Sequence, residues 1–313
     1  MDAGNYTWRW LTADDTPAWS DLLSAIAKVD GTDEVIGADD LAEELDDPGI
    51  EIQRDTFAVT GGDGTLVAYG TVHQPVERAD GMVRARFNGG VHPEHRRRGI
   101  GTELLRRIEA RVGELGRAAF PEHELRPVVG TGTPAGEALL ERHGYAAVRY
   151  FHAMSRPLDA PIGAVAEDAV PFSPDYDEAV RLAHIDAFSG HWDFAAPEQD
   201  RWQHWFTTPR ALRPRCSPIA VGRDGTVDGY VLGYEWVPGE IYFGIIGVRE
   251  RARGRGLGAG LVNRALAAAR DAGLTTAKLD VDSENASGAG RLYENAGFTV
   301  YHRSTAYQRV NPV

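Results

Sequence analysis

Cysteine and long apolar runs are almost absent from this sequence, and both absences narrow the class of protein. The single cysteine, Cys216, excludes an internal disulfide and is typical of a reducing cytoplasm. No stretch approaches the roughly 20 apolar residues of a membrane span, and the opening MDAGNYTWRWLTADD has no apolar signal-peptide segment. We therefore expect a cytoplasmic protein with no membrane partner, in which the lone thiol has no catalytic role.

Basic residues are scarce relative to acidic ones. The chain has 33 lysines and arginines against 46 aspartates and glutamates, which gives a formal net charge of −13. Phosphate backbones are bound by clustered lysines and arginines, so we do not expect a nucleic-acid partner. The acidic balance is compatible with a cationic small substrate such as an amine, and equally with a charge that only keeps the protein in solution.

The sequence does contain an internal repeat. VHPEHRRRGIGTELLRRIEARV, from Val91, resembles VRERARGRGLGAGLVNRALAAA, from Val248, and both contain the pattern R-x-x-G-x-G. Gly99 and Gly256 of these patterns stand 157 residues apart in a chain of 313. Further on, LLERHGY in the first half resembles LYENAGF in the second. Two such matches at one spacing indicate a duplicated domain.

The boundary between the copies is expected in RPLDAPIGAVAEDAVPFSPD, which is rich in proline and small residues. We predict an N-terminal domain of residues 1–158 and a C-terminal domain of residues 159–313. Each is close to the size of about 150 residues that a single domain commonly has.

Each half follows a similar order of strands and helices. Early helices are predicted in TPAWSDLLSAIAKV and DYDEAVRLAHIDAF, and strands in TFAVTG, TLVAYGTVH, MVRARFNGGV, SPIAVG, GYVLGYEWV, EIYFGIIGV, KLDVD and TVYHRSTAYQ. The helices after the two Arg-Gly turns have apolar stripes formed by Ile100, Leu104, Leu105, Ile108 and Val112, and by Leu257, Leu261, Val262, Ala265 and Leu266. The sequence therefore predicts two α+β domains, each with a mixed sheet.

The Gly-rich turn of the second half is suited to binding an anion. Gly254, Gly256 and Gly258 allow the backbone to approach a ligand closely at a helix N-terminus, where amide N–H groups point outward. Arg251, Arg253 and Arg255 add charge that suits phosphate. A tight turn with solvated arginines is the alternative. A nicotinamide-binding turn is disfavoured, because that fingerprint follows the first strand of a βαβ unit.

The segment from Val248 to Leu261, the distal Asn285 and the LYENAGF motif together resemble the GNAT superfamily of acyl-CoA N-acyltransferases. Two such domains in one chain are similar to the tandem GNAT proteins of actinobacteria, the mycothiol synthase-like group. The resemblance implies two GNAT-like domains, each a mixed, mostly antiparallel sheet flanked by helices. It also implies direct attack of an amine on acetyl-CoA in a ternary complex, with no acyl-enzyme. No metal is expected, because the spacing of His191 and His204 is not that of a metal site.

The same resemblance implies roles for residues of the second half. Ile246, Gly247 and Val248 would offer backbone groups to the pantetheine arm and the thioester. The pyrophosphate would be held by the amides of Arg253, Gly254, Arg255, Gly256, Leu257 and Gly258. Asn285 matches an asparagine that contacts pantetheine, and Tyr293 matches the tyrosine whose hydroxyl protonates the departing thiolate. A phenol with a pKa near 10 holds its proton at pH 7, although a core aromatic on the helix ASGAGRLYENA is the competing interpretation.

The attacking amine needs a base, because an amine with a pKa of about 10.4 is almost wholly protonated at pH 7. Glu240, at the start of EIYFGIIGV, is the first candidate and Glu235 the second. Mycothiol synthase-like proteins place a glutamate on the matching strand two residues closer to the Gly turn. That spacing keeps both positions on one face of a strand. A solvated carboxylate at a strand end is the alternative for each.

Aromatic residues are dense in HWDFAAPEQDRWQHWF, in the region where GNAT proteins bind the acceptor. The predicted substrate-contacting residues are Trp192, Phe194, Trp202 and Trp205. Aromatic walls suit an apolar or cationic acceptor, and ordinary packing explains any one of them equally well.

The first copy is expected to be degenerate. The resemblance assigns CoA contacts there to Val91, Arg96, Arg98, Gly99 and Gly101, and the adjacent Gly89 and Gly90 are compatible with a β-bulge. However, Leu140 occupies the position of the tyrosine and cannot donate a proton, and Gly132 occupies that of the asparagine. We expect this domain to be structural, or to bind CoA without turnover.

The expected function is acetyl transfer from acetyl-CoA to the primary amine of a small molecule. Alternatives are acetylation of a cysteinyl amine, as in mycothiol synthase, acetylation of a protein amine, and CoA binding without catalysis. An intact Tyr293 and Asn285 argue against the last. The oligomeric state is left open between a monomer and a homodimer.

Overall fold

A computed structural model of the protein describes residues 6–32, 36–285 and 288–311. Contacts along the backbone divide the chain into two units. Unit 1 comprises the chain up to Arg149 together with the segment from Ser304 onward, and unit 2 comprises Tyr150–Arg303. Two strands straddle the division, so that each contributes residues to both units.

The helices and strands of unit 1 follow the chain in this order: β1 (Thr7–Arg9), α1 (Thr16–Asp30), α2 (Ala38–Leu45), α3 (Ile52–Asp55), β2 (Thr56–Thr60), β3 (Leu66–Val72), β4 (Val76–Glu77), β5 (Val83–Val91), α4 (Ile100–Ala119), β6 (Leu125–Thr131) and α5 (Pro134–Arg142). The straddling strand β7 (Tyr145–Pro157) comes next. The short helices α2 and α3 were not predicted from the sequence, because neither is long enough to show a clear apolar period.

The elements of unit 2 are, in order: β8 (Val170–Pro171), α6 (Asp177–Phe188), α7 (Gln199–Trp202), β9 (Pro218–Val221), β10 (Val227–Tyr234), β11 (Glu240–Val248), α8 (Leu257–Asp271), β12 (Thr276–Asp282) and α9 (Ala289–Asn295). The last strand, β13 (Thr299–Arg309), straddles the division. These elements confirm the predicted strands and the two Gly-turn helices. Residues 286–287 of the predicted ASGAGRLYENA helix lie outside the described residues.

Each sheet is mostly antiparallel with one parallel pair. In unit 1, β1, β2, β3 and β5 pair antiparallel in that order, and β5 pairs with β6 in parallel. In unit 2, β8, β9, β10 and β11 pair antiparallel, and β11 pairs with β12 in parallel. The predicted class, two α+β domains with mixed, mostly antiparallel sheets flanked by helices, is confirmed.

The strand that completes each sheet comes from the other half of the sequence. Residues 305–308 of β13 pair with β6 of unit 1, and residues 151–157 of β7 pair with β12 of unit 2. The compact units therefore differ from the predicted halves 1–158 and 159–313. The alternation of a strand predicts that it is buried on one face, but it does not specify which edge it pairs with.

The predicted apolar stripes form the cores of the units. The stripe of α4 is buried against β5 and β6, where Phe87 and Leu125 belong to the same cluster. The stripe of α8 is buried against Ile241, Phe243 and Leu279 of unit 2. The opposite face of the unit 2 sheet packs on α6 through a second, aromatic cluster.

Among the described helices, none has the length and apolarity needed to cross a membrane. Within the same part of the chain, no group of three or more His, Cys, Asp or Glu residues is arranged to hold a metal ion.

Candidate active site

The parallel strands β11 and β12 of unit 2 part from each other along their length. Their ladder runs from the pair Glu240 and Thr276 to the pair Tyr242 and Lys278 and ends there among the described residues. Beyond it, β11 stays paired with β10 as far as Val248, while β12 stays paired with residues 151–157. The facing edges beyond Tyr242 therefore present backbone N–H and C=O groups that a ligand could bind.

A β-bulge lies on β11 at this split. Leu232 of β10 pairs with Ile245 and the next residue, Gly233, pairs with Phe243, so that Gly244 is the extra residue. A bulge reverses the alternation of side chains. As a result, Phe243 and Ile246 both pack with the α8 core, whereas Ile245 packs with the aromatic cluster beneath α6.

The neighbouring residue, Gly247, has to be a glycine because the ring of Tyr230 lies too close to its backbone for a side chain. A Cβ atom there would lie 2.6 Å from the ring of Tyr230, which is fully buried. The predicted pantetheine-binding segment, residues 246–248, thus lies directly after the bulge, where it borders the split.

The Gly-rich turn has the predicted conformation. Gly254 and Gly256 have φ angles of 74° and 78°, in the left-handed region that favours glycine. The helix α8 begins at Leu257 directly after Gly256. Its first amide groups have no partner within the helix, and they coincide with the positive end of the helix dipole. This is the geometry of an anion site at a helix N-terminus.

The arginines of the turn correct part of the prediction. Arg251 forms ion pairs with Asp224 and Asp228. The guanidinium of Arg253 donates to the carbonyls of Val248, at 3.0 Å, and Ala187, at 2.8 Å. Both side chains therefore bind groups of the protein itself and hold the turn in place. The carboxylates and the strand-end carbonyls occupy the guanidinium groups that were predicted to bind phosphate.

Arg255 differs from these two. Its side chain is exposed, and no hydrogen bond or ion pair joins it to another described residue. It is the arginine of the turn whose charge remains free for a phosphate.

Tyr293 lies on α9 in the core that α8 covers. Only 7% of the residue is exposed, and its ring meets Phe298 edge-on with centroids 6.2 Å apart. Burial raises the pKa of the Tyr293 hydroxyl well above its ordinary value, so the proton stays on the phenol throughout the neutral range. Tyr293 therefore packs in the core and also carries a hydroxyl group that stays protonated.

Asn285 lies in the turn between β12 and α9. Its amide N–H donates to the carbonyl of Asp282 at 3.1 Å, and its own carbonyl accepts from Gly288. The residue is half-buried at the end of the strand that forms one side of the split.

Both predicted base candidates are held by cations. The carboxylate of Glu240 lies 2.7 Å from the ammonium of Lys278. Glu235 pairs with Arg213 at 2.8 Å and accepts the amide of Gly239. These hydrogen bonds lower the pKa of the Glu235 carboxyl, because they favour its charged form.

The aromatic segment separates into buried and half-buried members. Trp202 is fully buried, and its indole N–H donates to Asp177 at 3.0 Å. It packs in the core and cannot line an acceptor pocket, which corrects the prediction for this residue. The other three predicted residues are half-buried. Trp192 lies 6.3 Å from the ring of Phe151, and Phe194 packs against the buried His184.

A polar row on the α6 face of β11 and β12 was not predicted. Tyr242 donates its hydroxyl proton to Oδ2 of Asp280 at 3.0 Å. Lys278 lies on the same face of β12 as Asp280, while Leu279 and Val281 point into the core. The alternation in KLDVD could have identified this face, but the sequence does not reveal that Tyr242 of the neighbouring strand joins it.

Unit 1 repeats the backbone arrangement of this site. Its parallel ladder ends at Arg86 and Val128 among the described residues, so β5 and β6 also part. Arg97 and Gly99 have φ angles of 63° and 88°, and α4 begins at the next residue, Ile100. The two turns thus share one backbone conformation.

The side chains of that turn are largely engaged. Arg96 donates to the carbonyl of Val91 and pairs with Asp30 at 2.7 Å. Arg98 donates to Tyr6 and to the carbonyl of Glu94. The first arginine of each R-x-x-G-x-G pattern therefore secures the turn to the end of the preceding strand.

Unit 1 lacks the bulge that its glycines were predicted to allow. β3 and β5 pair in continuous register from Ala68 and Val91 to Val72 and Phe87. A Cβ atom on Gly90 would instead lie 2.7 Å from Ile26 and 2.9 Å from Tyr69. Gly89 and Gly90 are therefore explained by the close approach of neighbouring side chains and backbone. Leu140, at the position that Tyr293 occupies in unit 2, is buried in the core.

Comparison with known proteins agrees with this duplication. A family model described as the acetyltransferase (GNAT) family matches residues 178–298, and one described as an acetyltransferase (GNAT) domain matches residues 53–147. Mycothiol acetyltransferase of Thermomonospora curvata is 35% identical over 71% of this chain and 73% of its own length. The protein of that name from Salinispora tropica is 31% identical over 92% of this chain and 95% of its own length.

Solved structures are similar over the whole chain. A GCN5-related N-acetyltransferase from Sphaerobacter thermophilus has a TM-score of 0.77 and 28% identity, and the match covers 98% of this chain and 96% of that one. A tandem GNAT protein from the clavulanic acid biosynthesis pathway has a TM-score of 0.70 at 18% identity, over 97% and 98% of the two chains. The second likeness concerns the fold alone. The chain belongs to the GNAT family, with two GNAT domains in tandem, and is an acyl-CoA-dependent N-acetyltransferase.

Proposed function

We propose that unit 2 transfers an acetyl group from acetyl-CoA to the primary amine of a small molecule, by direct attack in a ternary complex. The observation that carries the proposal is the split between β11 and β12, with a bulge on one edge and an anion-binding turn at the end of the same strand. Acetyl-CoA has to be held through its pyrophosphate, and its thioester carbonyl has to be polarised; this arrangement offers backbone groups for both.

In this proposal the amides of residues 253–258 hold the pyrophosphate, with the free side chain of Arg255 beside them. Backbone groups of residues 246–248 and Asn285 hold the pantetheine arm. The amine attacks the thioester carbonyl, the C–N bond forms and the C–S bond breaks. The departing thiolate takes the proton of the Tyr293 hydroxyl, which burial keeps protonated at neutral pH.

The acceptor is proposed to enter on the α6 face of the sheet. The half-buried Trp192 and Phe151 border this face, and Glu240 was the predicted base. The ion pair between Glu240 and Lys278 weakens that assignment, because the carboxylate is already engaged by the ammonium of Lys278 at 2.7 Å.

A second candidate acceptor is the cysteinyl amine that mycothiol synthase acetylates. It is favoured by the names of the relatives, which match along almost the whole chain. It is disfavoured by Tyr242, which stands where mycothiol synthase-like proteins place a glutamate. A cysteinyl-glucosamine compound in the assay distinguishes the two.

The test is release of the CoA thiol from acetyl-CoA in the presence of aminoglycosides, polyamines, amino acids and the cysteinyl-glucosamine compound. We expect one acceptor to give turnover that Tyr293→Phe lowers by about 10²-fold or more, since a positioned general acid contributes roughly 10²–10⁴-fold. Affinity for acetyl-CoA should be retained, because the ring remains.

Tyr176→Phe is the matched control. Tyr176 precedes α6 and packs in the aromatic cluster, so loss of its hydroxyl should leave kcat unaltered within about twofold. Equal turnover in wild type and Tyr293→Phe would remove the acid assignment. Absence of turnover with every amine would contradict the small-molecule proposal.

A further inference from the structure

The carboxyl group of Asp280 occupies a position that neither predicted base occupies. Asp280 lies on β12 two residues beyond the last pair of the parallel ladder, where β11 has already parted from β12. On its other side, β7 places Ala153 directly opposite Asp280. A small residue on one side and the split on the other leave room for a ligand at this carboxyl group.

The hydrogen bonds of Asp280 leave one oxygen atom for such a ligand. Oδ2 accepts the hydroxyl proton of Tyr242 at 3.0 Å. Within the described part of the chain, no hydrogen bond reaches Oδ1. Tyr242 is itself fixed, because its ring packs in the aromatic cluster beneath α6. The carboxyl group is therefore oriented through one oxygen atom and accessible through the other.

We propose that Asp280 is the carboxylate that takes the proton from the acceptor ammonium, and that Tyr242 positions it. This inference rests on the proposed function of unit 2 and adds the base of that reaction. It also accounts for Tyr242 at the position where a glutamate would be expected, because the hydroxyl of Tyr242 orients the carboxylate of Asp280, which then takes the place of that glutamate as the base.

The proton balance is closed by groups of this chain and by water. Asp280 takes one proton from the ammonium, and the neutral amine attacks the thioester carbonyl. The C–N bond forms, the C–S bond breaks, and the thiolate takes the proton of Tyr293. The second proton of the nitrogen atom is lost as the amide forms and restores the phenol. Asp280 then releases its proton to water, so that one proton is produced per turnover.

The surroundings of Asp280, both the atoms that cover its carboxyl group and the charges near it, set the pKa of that group and so the pH range in which it acts. Although the residue is exposed, the protein atoms around its carboxyl group desolvate it and raise the pKa. The hydrogen bond from Tyr242 and the charge of His302 oppose this and lower the pKa. On the same sheet face stand Lys278 and Asp282 of β12, and the Glu240 carboxylate paired with Lys278.

The test compares pH profiles of kcat/KM for the acceptor that wild type acetylates best. Wild-type turnover by itself tests the proposed function, and the ratio of variant to wild type tests the role of Asp280. Asp280→Asn keeps an oxygen atom to accept from Tyr242 but cannot take a proton. We expect a loss of about 10²–10³-fold at pH 7, with an unaltered dissociation constant for acetyl-CoA.

The pH dependence separates a base from a structural residue. Without the base only the neutral amine reacts, so the variant rate should rise about tenfold per pH unit towards the pKa of the amine and approach wild type. Asp271→Asn, at the exposed end of α8, is the matched control and should follow the wild-type profile. A uniform loss at every pH, or weakened acetyl-CoA binding without rescue at high pH, would overturn the proposal.

Two further variants complete the test. Tyr242→Phe removes a hydrogen bond that favours the charged carboxylate, so the acid limb of the profile should move to higher pH. An unmoved limb contradicts the positioning role. If Glu240→Gln, rather than Asp280→Asn, produces the rise of tenfold per pH unit, Glu240 is the base and Asp280 is not.

Discussion

The two units have the same backbone device but differ in the groups placed around it. In both, a parallel strand pair parts and a left-handed turn leads into the next helix. Unit 2 has a bulge at Gly244 in the β10–β11 pair and a buried phenol at Tyr293, whereas the equivalent β3–β5 pair of unit 1 is in continuous register and Leu140 occupies the position of the phenol. The two units therefore share the backbone conformation of the turn but differ in the side chains and the bulge that surround it.

The turn of unit 1 contains a non-glycine residue, Arg97, in the left-handed region. A non-glycine residue with a φ angle of 63° carries a strain of about 1 kcal/mol or more. The equivalent position in unit 2 is Gly254, where the same conformation carries no such strain. Unit 1 therefore keeps the turn at a cost, which supports our proposal that it binds CoA without turnover or uses the turn structurally.

The largest expected effect concerns the strand that completes unit 1. Tyr307 of β13 is 4% exposed and belongs to the α4 core. Tyr307→Ala should lower the free energy of unfolding of unit 1 by roughly 3–5 kcal/mol, as for other large aromatic truncations. Urea denaturation followed by tryptophan fluorescence measures it. Val310→Ala, an exposed residue that follows β13, is the control and should alter it by less than about 0.5 kcal/mol.

The pairing of β13 with β6 also matters for any experiment on a fragment that contains only the first half of the chain. A fragment that ends near residue 158 lacks the segment of β13 that pairs with β6. If such a fragment were as stable as unit 1 in the whole chain, residues 304–311 would not be needed to complete the sheet of unit 1.

A second contrast is the response of the units to acid. Burial lowers the pKa of His184 on α6 to about 4, and its Nδ1 atom lies 2.8 Å from the Tyr230 hydroxyl. The corresponding early helix of unit 1, α1, contains no histidine. The unfolded chain binds a proton near pH 6.5 and the folded chain only near pH 4. Stability is therefore present above pH 6.5 and lost as the pH falls towards 4, by on the order of 3 kcal/mol.

Urea denaturation at pH 7 and pH 4.5 measures this dependence. His184→Phe keeps an aromatic ring and should flatten the dependence for unit 2, whatever its stability at pH 7. Unit 1 should keep its wild-type dependence in the same variant. A pH dependence of unit 2 that survives the substitution would show that another group carries it.

The smallest expected effect compares the two turns directly. Gly256→Ala forces a Cβ atom into the left-handed region, where an L-residue is strained by about 1–2 kcal/mol. We expect KM for acetyl-CoA to rise about tenfold, because the amides at the head of α8 are displaced. Gly99→Ala imposes the same strain in unit 1 and should leave that KM within about twofold. Equal effects of the two substitutions would place turnover in both units.

The sequence was most informative where a pattern repeats locally. The apolar period of α4 and α8 predicted their buried faces, and the glycines at positions 254 and 256 predicted a turn that both occupy with positive φ. Such features depend on residues a few positions apart, so they can be recognised without tertiary information. The roles assigned to Tyr293 and Asn285 came from resemblance and remain proposals.

The predictions failed where the outcome depends on distant partners. Trp202 was predicted to line the acceptor pocket, yet it is buried in the core, where its indole N–H donates to Asp177. Arg251 and Arg253 were predicted to face phosphate, yet carboxylates and strand-end carbonyls hold them. A side chain that can serve several partners is assigned only by the geometry of the folded chain.

By itself, the sequence determined that this protein is a duplication of an α+β domain with an Arg-Gly turn in each copy, because repeats and short periods are properties of adjacent residues. Tertiary structure alone decided which strand completes each sheet, where β11 bulges, and that Tyr242 meets Asp280. Strand partners and cross-strand contacts depend on register between distant segments, and a period of two along one strand carries no record of its neighbour.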